Sequence, residues 1–329
     1  MDVNELPIWV DYTVEFLRNV IGPQSRLWPG YILLFILIGY SIYRYEGKKS
    51  GFWKFMFPKE MYFSSSVGTD VKLFLVNALL HALGAFTFIV SRAVIAITVL
   101  AWLGGNTDAP STLHPVLLAA ILFVVADFLV YWLHRVHHNL EPLWVFHAVH
   151  HSAEVLVPFS AYRQHPLYLL LHHTLNICVL GVVDGVLLAL LVSSIEIETL
   201  LGVNLLVFIY TITGNNLRHS HIWLSYGPIL SYILISPAMH QIHHSRDPKH
   251  WNKNYGGALA IFDWMAGTLY IPKEREDLEF GLCDNKGEPI QPHNGFRESM
   301  IVPFKHLIRW WSNRKSKRPT DIQPARYNS

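Results

Sequence analysis

Residues 113–133 form an apolar run whose single charge is Asp127. As a helix rising about 1.5 Å per residue, it reaches across the roughly 30 Å of hydrocarbon in a bilayer. Such a segment has no place at the surface of a water-soluble domain. Residues 28–43 give a shorter apolar run. Residues 71–103 give one interrupted by Ser91 and Arg92, read as one tilted helix or two shorter pieces. Residues 166–213 are apolar again, with interruptions at Asp184, Glu196 and Glu198, and read as a helical hairpin. About five spans are expected. With 51% hydrophobic and 15% charged residues, the composition excludes an ordinary soluble domain. After Gly214 the chain turns polar and stays so to Ser329.

Loop charges orient these spans. Arg44, Lys48, Lys49, Lys54 and Lys59 follow the first run, whereas residues 104–114 hold no Lys or Arg, so the basic loop belongs in the cytosol. The third span then returns to the cytosol near His134. The hairpin begins and ends there, and the C-terminal part remains on that side. Residues 301–313 place Phe304, Leu307, Ile308, Trp310 and Trp311 beside Lys305 and Arg309, followed by a basic run at 314–318, the pattern of an interfacial helix on anionic headgroups. The net charge of +2 provides no global basic field, so no nucleic-acid partner is expected. Two cysteines, Cys178 and Cys283, exclude a disulfide framework and a thiolate zinc module. The first residues lack the basic flank and apolar core of a signal peptide, so the N-terminus is expected to stay attached. No internal repeat or low-complexity tract occurs.

Histidine is the other constraint: nineteen of 329 residues. Asp127, Tyr131, His134 and His138 are spaced four, three and four apart and share one helix face. Asp127, two turns deeper than the imidazoles, is costly in a membrane unless paired, which suggests a role orienting an imidazole. His137 faces elsewhere. His147-Ala-Val-His150-His151 brings three imidazoles within one turn, and His240-Gln-Ile-His243-His244 repeats the spacing. Between them Asn215 and His219 are again four apart; His219 is a ligand candidate and Asn215 one directly or through water. His134, His138, His147, His150, His151, His219, His240, His243 and His244 exceed the four ligands of a tetrahedral ion and the six of an octahedral one, so two metals are expected. Imidazole alone does not choose among iron, zinc, copper and nickel. His-Glu-x-x-His, a Gly-rich phosphate loop, a Gly-x-Ser-x-Gly elbow and Cys-x-x-Cys are all absent. His172 and His173 read as core or channel residues; His81, His114, His250, His293 and His306 read as ordinary. Arg135, Arg218 and Arg246 lie beside the clusters, where each can hold a lipid headgroup or fix a helix end.

The order His-x3-His, His-x-x-His-His and a distant His-x-x-His-His resembles the fatty acid hydroxylase and sterol desaturase superfamily of integral-membrane di-iron enzymes. Asp127-Phe-x3-Tyr131-Trp132-x-His134-Arg135, Arg163-Gln-His165-Pro166, Asn254-Tyr255-Gly256 and Asp263-x3-Gly267-Thr268 extend the match over residues 127–270. The resemblance implies an all-α, multi-pass membrane helical bundle with a cytosolic helical cap holding a histidine-rich dimetal site. Under it, His134 and His138 are the first motif's ligands, the two triads the second and third, and His219 part of a weaker fourth. Family members often carry His or Gln where this chain has Asn215. Asp263 is either an imidazole-orienting partner or a turn-capping carboxylate, and His165 either an orienting group or the anchor of the next helix. Two iron ions, dioxygen as co-substrate and an external electron donor are implied, the donor being a separate reductase, ferredoxin or cytochrome.

Residues 1–113 are read as an N-terminal membrane region, 114–275 as the catalytic domain and 276–329 as a cytosolic tail. The expected activity is O2-dependent hydroxylation of a membrane lipid, whether fatty acyl, sterol-like, ether lipid or aminolipid, in a bacterial inner membrane or endoplasmic reticulum. Desaturation at the same site is the first alternative. A metal transporter or metal-binding membrane protein is the second, and it calls for His and acidic pairs at the bilayer midplane, not at helix ends.

Overall fold

The computed structural model describes residues 8–23, 25–85, 91–105, 113–191, 197–212, 214–284 and 287–316. Its elements are helical apart from one short ladder. In chain order they are α1 (Ile8–Ile21), α2 (Pro29–Tyr45), α3 (Phe52–Met56), α4 (Lys59–Tyr62), α5 (Ser65–Ala82), α6 (Arg92–Trp102) and α7 (Pro115–Asn139). There follow α8 (Glu141–His151), α9 (Pro166–Leu191), α10 (Ile197–Ile212), α11 (Gly227–Leu230), α12 (Pro237–His243) and α13 (Ile261–Met265). Strands β1 (Leu282–Cys283) and β2 (Pro289–Ile290) pair antiparallel with Leu282 opposite Ile290, and α14 (Phe296–Ser316) closes the chain.

Among the described residues, α7 and α9 are long and apolar enough to cross a membrane. The other apolar helices are shorter: α2 has 17 residues, α6 has 11 and α10 has 16. The run at 71–103 forms two pieces, α5 and α6. Its interrupting Arg92 donates from Nη2 to Asp184 Oδ1 of α9 at 2.9 Å, so two charges that break separate apolar runs neutralise each other. Small residues permit this helix pair to approach closely: a Cβ on Gly185 would lie 2.6 Å from the Ala96 carbonyl oxygen. The run at 166–213 forms two helices, α9 and α10, of which α10 packs on α7 and α9 chiefly on α6; the turn of the expected hairpin, at 192–196, lies outside the described residues. Helix α2 lays Phe35 against Met56, Leu217 and Ile222, tying the first apolar run to the segment that follows α10. At the other end of the chain α14 sets Phe304 against Phe146 and His165, with ring centroids 5.4 and 5.3 Å apart, while Ile308 and Trp311 remain exposed. The basic side chains at 314–318 lie outside the described residues.

Candidate metal centre

Local sequence explains how the histidine helices are placed. Helix α7 ends at Leu140, whose extended backbone (φ −99°, ψ 111°) starts α8 with Pro142 in its first turn. The chain turns there and brings α8 back against the end of α7. Helix α12 opens on Ser236, whose hydroxyl accepts the Met239 N–H at 3.3 Å, with Pro237 at the first helical position.

The nine candidate imidazoles, buried or half-buried, meet in two groups. His134, His138, His147, His151 and His243 form one and His150, His219, His240 and His244 the other, with ligand atoms within 4.8 Å of one another in each. Each triad is divided between the groups, instead of converging on one point as its spacing suggests. In α8, His147 and His151 enter the first group and His150 the second. From α12 and its C-cap, His240 and His244 enter the second and His243 the first. The cause is helical geometry: at about 100° per residue, positions three and four further on diverge to opposite sides of the starting residue. The two groups touch, with the His151 and His244 rings stacked at 4.5 Å.

The spacing within each group fits metal binding. In the first, Nε2 of His147 is 3.1 Å from that of His138 and 3.2 Å from that of His151. In the second, the Nε2 atoms of His219, His240 and His244 form a closed triangle with sides of 3.1, 3.2 and 3.3 Å. A ring nitrogen has one in-plane direction for its proton or lone pair, so it cannot aim at two neighbours together. The contacts instead match the polyhedron edges around an ion with metal–nitrogen bonds of about 2.0–2.1 Å, roughly 2.9 Å for an octahedron and 3.4 Å for a tetrahedron. Two imidazoles are oriented from outside: His134 donates from Nδ1 to the Tyr255 carbonyl and His243 from Nδ1 to the Lys253 carbonyl, each at 2.8 Å, which leaves Nε2 free to ligate. Burial holds His147, His219, His240 and His244 well below the usual imidazole value, with neighbouring imidazoles adding to the effect. Burial brings His150 down to about 3 and His243 to about 4. Neutral imidazole is the form that binds a metal. The residues therefore fit two ions.

The carboxylates act one step further out. Asp127 does not meet an imidazole; its two oxygens accept the Ala258 and Leu259 N–H groups, both at 2.7 Å. Asp263 accepts from Tyr255 N at 2.9 Å, Gly256 N at 2.7 Å and the Thr268 hydroxyl at 2.6 Å, the turn-capping arrangement. The turn it caps carries the Tyr255 carbonyl that orients His134, so it works on the site through backbone. A Cβ on Gly257 would lie 2.4 Å from Asp127 Oδ1 and one on Gly256 2.5 Å from the Leu259 carbonyl oxygen, which together explain the paired glycines. The Tyr131 hydroxyl contacts Thr268 at 3.1 Å and accepts from Arg135 at 3.0 Å. The Asn215 carbonyl accepts from Arg26, and its amide makes no contact with the imidazoles among the described residues. His165 anchors the next helix: Nδ1 accepts the Leu167 N–H at 3.0 Å while Nε2 donates to the Met300 carbonyl. His137 turns to the Leu133 carbonyl, outside both groups.

Three participants had no signal at the level of residue type. Backbone carbonyls of Lys253 and Tyr255 are invisible in a motif, although two left-handed asparagines, Asn252 (φ 59°) and Asn254 (φ 58°), mark the unusual loop that presents them. Trp144 covers His138 and His151 at 5.0 and 5.5 Å. It walls a cavity of about 80 Å³ that reaches the first group and is also bounded by Arg246 and Trp251.

Residues 119–268, which hold all nine imidazoles, match the fatty acid hydroxylase family. The human alkylglycerol monooxygenase is 33% identical over 192 residues, 58% of this chain and 37% of its own. The Rhizobium tropici ornithine lipid hydroxylase is 29% identical over 190 residues, covering 56% and 50%. The Nicotiana tabacum Delta(7)-sterol-C5(6)-desaturase is 28% identical over 171 residues, covering 49% and 52%. The chain thus spans between about a third and a half of the length of these relatives. No solved structure matches it. The similarity to the fatty acid hydroxylase family thus covers residues 119–268, a little under half of the chain.

Proposed function

We propose that this chain is a membrane-bound oxidoreductase that hydroxylates a membrane lipid with dioxygen at a pair of iron ions. The observation that carries the reading is the division of nine buried or half-buried imidazoles into two touching groups with ligand-like nitrogen spacing. Bound there, the two ions supply the oxidation of an unactivated C–H bond, with dioxygen as oxidant and electrons from a separate reductase, ferredoxin or cytochrome. The protein's own part is positional. Tyr255 and Lys253 carbonyls hold His134 and His243 in one tautomer and direction. Asp263 and Asp127 hold the loop that carries the Tyr255 carbonyl. Trp144 narrows the approach to the first group and limits water there.

The named relatives act on an alkylglycerol, an ornithine lipid and a sterol, and all of these are lipids. This supports a lipid substrate here. The sterol desaturase among them favours desaturation as the second reading. The proposed topology is multi-pass, with α7 and α9 among the spans and the imidazoles, like the C-terminus, on the cytosolic side, as the basic loop at 44–59 argues. A metal-transport role fits less well: His134 and His138 occupy the last turns of α7 and the other ligands lie beyond it, away from the middle of an apolar helix.

The test is lipid mass spectrometry on the native host with the gene deleted, restored, and restored as His147→Ala. A lipid class one oxygen heavier only with the intact gene is expected. A class two hydrogens lighter would establish desaturation, and no lipid difference in aerobic cells containing the protein would overturn the lipid reading.

A further inference from the structure

The cavity walled by Trp144 joins the metal centre to the edge of the fold. Its inner end reaches His138, His151 and His243 of the first group and His244 of the second, all four of them buried. Its outer walls belong to other parts of the chain: Arg246 and Trp251, in the segment after α12, and Cys283 in β1, each half-exposed. At about 80 Å³ the cavity has room for several water molecules, which need roughly 10–15 Å³ each by this measure. Pockets that enclose drug-sized ligands start at about 300 Å³, so a lipid chain does not fit.

The outer wall is tied to the segment after α12 around one residue. Arg246 N–H donates to the Glu279 carbonyl at 2.9 Å, and the Arg246 carbonyl accepts the Trp251 indole N–H at 3.1 Å and the Cys283 thiol at 3.3 Å. The Arg246 guanidinium pairs with the solvent-exposed Glu279 carboxylate, and Ser245 bridges Phe280. An exposed ion pair of this kind stabilises little, so the wall is held chiefly by bonds to backbone. It is a thin cover, since β1 is two residues long.

Two buried atoms of side chains that line the cavity lack partners. The Trp144 Nε1–H has no acceptor among the described residues, and His243 Nε2 has no donor. Because His243 donates from Nδ1 to the Lys253 carbonyl, its Nε2 carries the lone pair. Buried polar groups are ordinarily satisfied by protein or by water. An indole N–H that lacks an oxygen acceptor, beside an imidazole with a free lone pair, suits a metal ion arriving with part of its water shell. An ion cannot be stripped of water among packed apolar side chains without a large desolvation cost, so a buried centre needs a polar way in.

We infer that this cavity is the passage by which metal ions from the aqueous side reach the imidazole groups, with Trp144 as its inner constriction and β1, at Cys283, as its outer wall. His243 and His244 are adjacent in sequence and belong to different groups, so one entrance serves both. The inference rests on the metal-centre reading and deepens it: ions and lipid reach the centre by separate routes, because the passage is too small for a hydrocarbon chain.

Cys283 allows a test on protein that is already folded. The metal-free full chain in detergent, with the exposed Cys178 replaced as Cys178→Ser, is treated with benzyl or methyl methanethiosulfonate to place a large or a small disulfide adduct on Cys283. Uptake of cobalt(II), which stands beside iron(II) in the affinity order, is then followed by its visible absorption. The benzyl adduct is expected to slow both uptake and removal by EDTA about tenfold, a barrier about 1.4 kcal/mol higher, and to leave the final metal content unchanged. The methyl adduct should slow them less. Cys283→Trp should reproduce the slow uptake, and Cys283→Ser should match the unmodified chain. Unchanged rates in fully modified protein, or a Cys283 that does not react in the folded chain, would overturn the passage. So would an adduct that lowers the metal bound at saturation, since Cys283 would then support the centre and not line its entrance. If no form of the chain takes up cobalt, the metal centre itself fails and the passage with it. Absence of lipid oxidation by a chain that loads normally would overturn the activity reading and leave the passage standing.

Discussion

Arg163 Nη1 meets Asp70 Oδ1 at 2.9 Å with 2% and 0% of the two side chains exposed. The same guanidinium donates from Nε to the Val149 carbonyl at 3.1 Å and the Ser152 hydroxyl at 3.0 Å, and from Nη2 to the His293 carbonyl at 3.1 Å. It thus fastens the end of α8, which carries His147, His150 and His151, to α5 and to the segment before α14. Breaking a buried pair leaves a charge uncompensated and costs about 3–5 kcal/mol. Arg163→Gln is therefore expected to lower the unfolding midpoint and the metal content together. Arg163→Lys, which keeps the charge but cannot span these acceptors, should fall between the two. Denaturation curves and metal analysis of the purified variants check this, and an unchanged midpoint in Arg163→Gln would count against the clamp.

Separate groups imply separate losses. His147→Ala touches the first group and His240→Ala the second, and each is expected to reduce bound metal from about two ions per chain to about one. The double variant should hold close to none. A single substitution that removes both ions at once, in a folded protein, would argue for one fused centre.

Gly257→Ala introduces a Cβ at 2.4 Å from Asp127 Oδ1, and neither the loop nor the carboxylate can withdraw while Ala258 and Leu259 donate to it. The expected cost is about 1–3 kcal/mol, the usual range for overpacking. Gly47→Ala offers the contrast of an open turn, at φ 60° with nothing within 4 Å of the added Cβ. Thermal unfolding of the two variants, with metal content as a second readout, separates strain near the centre from backbone strain elsewhere: only Gly257→Ala should also lose metal.

Acid should act on the metal-free protein in a defined direction. Burial brings His150 and His293 to about 3 and His243 to about 4, whereas an unfolded chain titrates its imidazoles near 6.5. The unfolded state takes up protons first as pH falls, so these residues leave stability unaffected above about pH 6.5 and lower it progressively from there toward pH 4. Unfolding midpoints at pH 8, 7, 6 and 5 are expected to agree for the first pair and then to drop. A flat series from pH 7 to 5 would contradict the burial of these rings.

The candidate metal ligands themselves were readable from the chain. The eight imidazoles singled out by the His-x3-His and His-x-x-His-His spacings, and His219 singled out by its spacing to Asn215, all fall in the two groups, because histidine is a rare residue type and a helix fixes its own periodicity. The same periodicity separates His150 from His147 and His151, yet which group each joins depends on where α12 and His219 stand across the fold. Asp127 shows the limit of reading one helix at a time. Its face was assigned correctly with Tyr131 and His134, but its partners are amides 131 and 132 residues further on.

The sequence by itself determined the apolar helices, the two longest of which emerge as α7 and α9, and the set of candidate ligands, since hydrophobic length and residue chemistry are local properties. Only the tertiary structure decided the division into two groups, the carbonyls that orient His134 and His243, and the Arg163–Asp70 clamp. Each of these depends on backbone groups or on contacts between segments far apart in sequence, and no local pattern records where those segments meet.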